Sequence, residues 1–458
     1  MRNSKTNNSG QLTTGNIPRI LIKLAVPMSF GMISIILFNL VDTYFVGLLG
    51  TKELAAISFA FPVVNLIAGV TLGLGVGLTA IISQQIGAGN FENVRKITRD
   101  GLILSLIVVA VLSSAGLLTI ESVFRQIGAD ETTLSLVSEY MTIWYFGMIF
   151  VVVPMVGNSA IRATGDTKTP ALIMFAAALL NAVLDPILIF GWGFIPGLGI
   201  KGAAIASVIA RIGTMAISLY ILIHREKMVE MKLPSFNEMF RNWGAVLALG
   251  APLALIHILI PISHAIVLRI IAVYGSFAVA AFGAGSRIIQ ISLLGAISLG
   301  ASMTPFVGQN WGAGLGERVR KGILTGQGFA FLWGLFAWGV TALFAPQIAS
   351  LFSEEQAVHV TIEMLLRIVL AGLAFESVFV ITVSSFNGLR RPMKVAVLNV
   401  FRLFVLFIPM VYIGSKLYGL DGIFYGVTIS NILAGIIGFF VIRKVGTISD
   451  LPPNYMEK

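Results

Sequence analysis

The sequence predicts an all-α polytopic membrane protein, with twelve transmembrane helices in two six-helix bundles related by pseudo-two-fold symmetry. Three observations predict it. Of the 458 residues, 57% are hydrophobic and only 11% charged, about half the charge of a soluble domain, and mean hydropathy is +0.92. The apolar residues come in continuous runs of about 20 or more, long enough to cross a bilayer as helices, without the period of two that barrel strands show. The two halves of the chain also carry the same landmarks at constant spacing.

In chain order, a polar stretch rich in Asn, Ser, Thr and Gly, 1–16, reads as a disordered cytoplasmic tail. The apolar run after it is too long and starts too late for a cleaved signal peptide. Helices are then expected at 20–49, 54–86, 97–120, 134–161, 170–192 and 202–223. Several are long enough to require tilt, kinks or ends outside the bilayer. The longest polar interval follows, carrying His224, Arg225, Glu226, Lys227, Glu230, Lys232, Glu238 and Arg241. Residues 225–243 are therefore expected to link an N-lobe, 17–224, to a C-lobe, 244–445. Six further helices are expected at 244–274, 278–309, 321–345, 357–387, 394–415 and 420–442, before a cytoplasmic tail at 446–458.

Charge placement sets orientation. Lys and Arg crowd one set of loops: Arg95, Lys96 and Arg99; Arg162 and Lys168; the mid-chain interval; Arg318, Arg320 and Lys321; Arg390, Arg391 and Lys394; and both chain ends. The opposite loops hold only Lys52, Arg125, Lys201 and Lys416. Both termini are expected in the cytoplasm, in the cytoplasmic (inner) membrane of a prokaryote. The net charge of +10 is spread over these loops, which argues against a nucleic-acid partner. There is no cysteine, hence no disulfide framework and no thiolate metal site.

Pro27 pairs with Pro252, Gly50 with Gly275, Gln84 with Gln309, Gly87 with Gly312, Gly89 with Gly314 and Val94-Arg95-Lys96 with Val319-Arg320-Lys321, always 225 residues apart. Gly165 and Gly388, Pro186 and Pro409, then Gly202 and Gly422, continue the repeat. The repeat isolates two acids. Asp42 sits in Phe38-Asn39-Leu40-Val41-Asp42, deep in the first apolar run, and corresponds to Val267; Asp185 corresponds to Ile408. A charged side chain in hydrocarbon costs at least ~2.5–3.5 kcal/mol, so such residues usually face a protein interior and work there. A structural carboxylate paired with a basic residue of another helix is the plain alternative for Asp42. A purely structural acid would more plausibly occur in both halves, so the coupling site is placed in the first.

Asn181 and Asp185 are four apart, on one helix face with Met174, and Pro186 removes a backbone donor beside the acid. Asp42 and Asp185 are expected at similar depth. Two carboxylates in a dry site suit reversible protonation; with Asn181 as a neutral oxygen donor, the same pair suits Na⁺. Pro27 is expected to kink or hinge the first helix.

Other features carry less chemistry. Gly73, Gly75 and Gly77 lie inside an apolar span and suit helix packing, not dinucleotide binding. No Walker-type lysine motif occurs. His257 and His264 share a helix face and are expected in bundle hydrogen bonds. Glu363, Arg367 and Glu376, with Arg269, Arg287 and Arg402, are expected to form an ion-pair network; the intramembrane basic residues are assigned to the second half. No metal cluster or nucleophile constellation appears, so the chain is not expected to be an enzyme and needs no cofactor.

The runs Asn39–Asp42, Gln85–Gly89, Ala163–Pro170, Asn181–Pro186 and Gly308–Gly314 together resemble the multidrug and toxic compound extrusion (MATE) family of the MOP type, over about 17–445. With acids in the first half, the chain is most similar to the DinF-type, H⁺-coupled branch. The resemblance implies alternating access, proton coupling at Asp42, Asp185 and Asn181, and a substrate cavity with Asn158, Met174, Phe38, Asn39 and Phe61. It also implies a first helix bending at Pro27. The chain departs from some branch members in having Phe38 and Ala203 where they have hydroxyl residues. The implied function is H⁺/drug antiport: multidrug efflux of amphipathic, cationic or aromatic drugs and dyes by a functional monomer in the lipid bilayer. The alternatives are Na⁺ coupling, with Asp42 and Asp185 as ligands, and lipid-linked oligosaccharide flipping.

Overall fold

The computed structural model describes residues 11–443 and is almost entirely helical. In order come α1 (Ile17–Gly47), α2 (Thr51–Gly87), α3 (Phe91–Ile127), α4 (Glu131–Gly147), α5 (Ile149–Ala163), α6 (Lys168–Phe190) and α7 (Ile200–Tyr220). The second half has α8 (Phe236–Ala272), α9 (Ser276–Gly312), α10 (Gly316–Leu343), a short α11 (Ala345–Ser350), α12 (Gln356–Val369), α13 (Leu373–Gly388), α14 (Pro392–Val400) and α15 (Ile408–Arg443). Ten helical stretches are long and apolar enough to cross a membrane, and α4 with α5, bent by 45°, adds an eleventh. The last stretch, Pro392–Arg443, is broken at Tyr418 and Gly419, where Gly419 takes φ 63°. That break divides it, so the described residues hold the twelve spans that the apolar runs predict. Side chains exposed along the spans are largely Leu, Ile, Val and Phe, such as Phe30, Leu40, Leu172 and Phe336, as a lipid-facing surface requires.

Local chemistry sets the ends. Asn90 caps α3 by accepting from the backbone N–H of Asn93, and Asp130 caps α4 by accepting from that of Thr133. Gly89 and its repeat partner Gly314 both take left-handed turns, φ 75° and 74°, a conformation that costs glycine little. The turn after α6 is a two-strand hairpin, β1 (Gly191–Trp192) with β2 (Ile195–Pro196).

The chain forms two compact units. One comprises Pro27–Ile86 and Asn90–Ala254; the other takes in residues 11–26, Gly87–Gly89 and residues 255–443. In the first, one apolar core gathers around Val46, Phe124, Met141 and Ala203 and another around Leu78, Ile161 and Leu222; in the second, a core gathers around Val267, Leu365 and Phe424. The units repeat each other in detail. Thr79 Oγ1 donates to the Ser159 carbonyl at 2.9 Å, and Thr304 Oγ1 to the Ser384 carbonyl at 3.1 Å. Beside each bond is a glycine with no room for a side chain: a Cβ on Gly75 would lie 2.5 Å from Ser159 Oγ, and one on Gly300 2.8 Å from Ser384 Oγ.

Two boundaries differ from the sequence expectation. The division falls between Ala254 and Leu255, not in 225–243, because that interval is clasped to α3. Asp100, fully buried, accepts from Arg99 Nε at 2.8 Å and Asn242 Nδ2 at 2.7 Å. Trp243 Nε1 donates to the Asp100 carbonyl at 2.8 Å, and Arg99 reaches Glu230 at 3.3 Å and the Lys232 carbonyl at 2.8 Å. Within the expected 1–16 tail, Gln11–Thr13 form a 3₁₀ turn and Leu12 is buried. Arg318 donates to the carbonyls of Leu12, Thr14 and Gly15, and Asn310 to that of Leu12. Residues 1–10 and the expected tail at 446–458 lie outside the described residues.

Candidate functional site

Four helices of the first unit converge on the acids. On α1, Phe38 and Asp42 are one turn apart and both buried, at 8% exposure each. On α6, Asn181 and Asp185 are fully buried, and the i, i+4 spacing lets Asn181 Nδ2 donate to Asp185 Oδ1 at 2.9 Å. The same amide reaches Ser207 Oγ on α7 at 3.5 Å. Pro186 stays inside α6, which runs on to Phe190. Asp42 and Asp185 act on each other electrostatically, and α4 brings buried Tyr140 within reach of both. Three oxygens, Asp42 Oδ1, Asn181 Oδ1 and Asp185 Oδ2, are buried and take no hydrogen bond among the described residues.

The cation of this group is Arg211, half-buried in the middle of α7. Its guanidinium stands 4.8 Å above the Phe38 ring and acts electrostatically on Asp42 and Tyr140. Among the described residues the guanidinium makes no ion pair or hydrogen bond. The expected confinement of intramembrane basic residues to the second half is therefore corrected. Arg211 was open to the criterion that singled out Asp42, a charge deep in an apolar run. Tyr140 carries no such signal, since its place depends on how α4 packs.

The other expected residues are not all gathered here. Asn158, on α5, is buried and accepts from Ser218 Oγ of α7 at 3.3 Å. Met174 packs where α1 meets α6; its sulfur would lie 3.2 Å from a Cβ on Gly31. Asn39 is exposed, its carbonyl accepting from Thr43 Oγ1 at 2.8 Å, and Phe61 on α2 is 38% exposed. Ala203 is fully buried in the core. Pro27 stays inside an unbroken α1, and the change of compact unit falls at that residue.

In the second unit the expected network separates into two pairs. Arg402, within a π-helical turn, binds Glu376 and reaches Asn431 Oδ1 at 3.2 Å, while Asn431 Nδ2 donates to Glu376 at 3.0 Å. Glu363 and Arg367 pair along α12 at 2.7 Å. Arg269 and Arg287 are exposed and join neither. His257 and His264 are also exposed and take no hydrogen bond among the described residues; the His264 ring lies 6.0 Å from that of Phe407.

The MatE family model matches residues 27–187 and again 252–413, the two copies of the repeat. Over 95% of its length the chain is 35% identical to 96% of a protein named "FAD transporter" from Shewanella oneidensis. It is 27% identical to the probable multidrug resistance protein YoeA of Bacillus subtilis, over 80% of each chain. It is 24% identical to the multidrug export protein MepA of Staphylococcus aureus, over 93% of each. Among solved structures, an outward-facing multidrug resistance MATE transporter of the MOP superfamily superposes with a TM-score of 0.89 at 30% identity, covering 96% of this chain and 98% of that one. The Vibrio cholerae transporter VcmN in its bent form gives 0.90 at 30% identity, covering 93% and 96%. With both repeats matched and twelve spans in place, the chain belongs to the MatE family of membrane transporters and is not an enzyme.

Proposed function

We propose that this protein is a secondary active exporter that lets H⁺ move inward in exchange for amphipathic aromatic compounds moving outward, cationic drugs and dyes among them. Asp42 and Asp185 share the coupling proton, and Asn181 orients Asp185. The observation that carries this reading is a pair of buried carboxylates in mutual electrostatic reach, which among the described residues form no ion pair and each keep an unbonded oxygen. Repulsion between carboxylates in a dry site is relieved by one proton, and cationic cargo competes with that proton for the same charge. One proton delivers about 2.3 kcal/mol per 100 mV and about 1.4 kcal/mol per pH unit. The Shewanella relative's name adds flavin adenine dinucleotide, also amphipathic and aromatic, to the compounds worth assaying. The charge of the loops supports cytoplasmic termini in a prokaryotic inner membrane, and the self-contained cluster in one unit supports a functional monomer.

The test is export from proteoliposomes under an imposed pH gradient. Wild type concentrates an aromatic dye, whereas Asp42→Asn and Asp185→Asn lose at least tenfold in gradient-driven rate. Wild-type rates in Asp42→Asn defeat the reading. A second reading, Na⁺ in place of H⁺, is favoured by the three unbonded oxygens and is separated by a sodium gradient at equal pH. The flippase alternative is weakened, because Arg367 and Arg402, two of the four arginines it relied on, are paired with Glu363 and Glu376.

A further inference from the structure

We propose that Arg211 is an ion-selectivity residue: its fixed charge, seated on Phe38 one turn from Asp42, supplies the cation that a metal ion would otherwise bring to the acid pair, so the pair accepts a proton and excludes Na⁺. This rests on the coupling role of the two acids proposed above.

The first support is the contrast between two half-buried arginines. Arg402 in the second unit is consumed by Glu376 and Asn431, so its charge is cancelled locally. Among the described residues Arg211 has no such partner; it rests on the face of Phe38, a seat that suits the planar, weakly hydrated guanidinium. A permanently charged group in the middle of a membrane span is costly unless it acts on an opposite charge, and the charge within its reach is that of Asp42.

The second support is the balance of charges. Two carboxylates against one guanidinium leave room for one further positive charge. A proton needs one oxygen and attaches to it covalently. Sodium is a hard cation and needs several oxygens arranged around it. Three fully buried oxygens, on Asp42, Asn181 and Asp185, take no hydrogen bond among the described residues. Donors lie close by: Asn181 Nδ2 already bonds the other Asp185 oxygen, Oδ1, and the guanidinium seated on Phe38 carries five N–H groups and no acceptor. Two cations side by side repel strongly in a low-dielectric setting, whereas a protonated carboxyl is neutral.

The experiment uses the full chain in proteoliposomes at equal pH on both sides, with a sodium gradient as the only driving force and ethidium as cargo. Wild type and Arg211→Lys are expected to respond less than twofold to the gradient. Arg211→Gln, and Arg211→Met as a second neutral variant should the first misfold, are expected to gain at least fivefold stimulation. Sodium alone, titrated into purified protein, is expected to raise the unfolding temperature of the neutral variants but not of wild type. Strong sodium stimulation of wild type, or neutral variants that fold and stay indifferent to sodium, overturns the proposal. If ethidium export also ignores a pH gradient in wild type, the coupling reading itself fails. If it follows the pH gradient while the variants stay sodium-blind, only the role of Arg211 falls.

Discussion

Asn181 donates its side-chain amide to Asp185 Oδ1 at 2.9 Å, leaving Oδ2 buried and unbonded. The amide holds one oxygen still and so determines which way the other faces. A hydrogen bond to a charged group contributes roughly 1.5–3 kcal/mol. Asn181→Ala is therefore expected to slow pH-driven dye export by about tenfold or more, since 1.4 kcal/mol is about tenfold. Asn181→Leu, which fills the space without a donor, is expected to behave the same way. Export rates in vesicles, with expression and melting as controls, check this.

The close approach at Gly75 predicts a specific rescue. Alanine gains up to ~1 kcal/mol over glycine in a helix, but a Cβ here meets Ser159 Oγ at 2.5 Å, and overpacking costs typically ~1–3 kcal/mol. Gly75→Ala is expected to lower the melting temperature in detergent, and adding Ser159→Ala, which removes the obstructing oxygen, to restore most of it. Gly300→Ala with Ser384→Ala is expected to repeat the pattern in the second unit.

Asp100 predicts a stability defect far from the transport site. Its carboxylate is fully buried between Arg99 and Asn242. Removing one partner of a buried pair costs about 3–5 kcal/mol. Asp100→Ala is expected to lower stability in that range, to reduce membrane yield, and to expose the 225–243 segment to protease.

Much of this organisation is readable from residue order alone. The apolar runs mark the spans, because a bilayer demands about twenty such residues. The repeat marks Asp42 and Asp185 by their lack of counterparts, and the i, i+4 spacing anticipates the Asn181–Asp185 bond. Arg211 satisfies the same criterion as Asp42, a charge deep in an apolar span; its seat on Phe38 does not follow from spacing, because it joins α7 to α1. The hold of Asp100 on Asn242, and of Arg318 on the carbonyls of Leu12, Thr14 and Gly15, are long-range contacts of polar residues that sequence reads as loop and tail. Composition labels such segments polar and says nothing of what they dock against.

Arg318 itself predicts local loosening. It satisfies three backbone carbonyls ahead of α1, and Arg318→Ala leaves them without that donor. Amide hydrogen exchange over residues 12–16 is expected to rise by an order of magnitude or more, while exchange around Asn181 stays as in wild type.

The most direct measurement is proton release on cargo binding. Purified protein in weakly buffered detergent solution is mixed with ethidium, and the pH is followed. A shared proton on Asp42 and Asp185 predicts release approaching one proton per bound dye in wild type, and release close to zero in Asp42→Asn and Asp185→Asn. Dye binding by wild type with no change in pH, or equal release from Asp42→Asn, contradicts exchange at this pair.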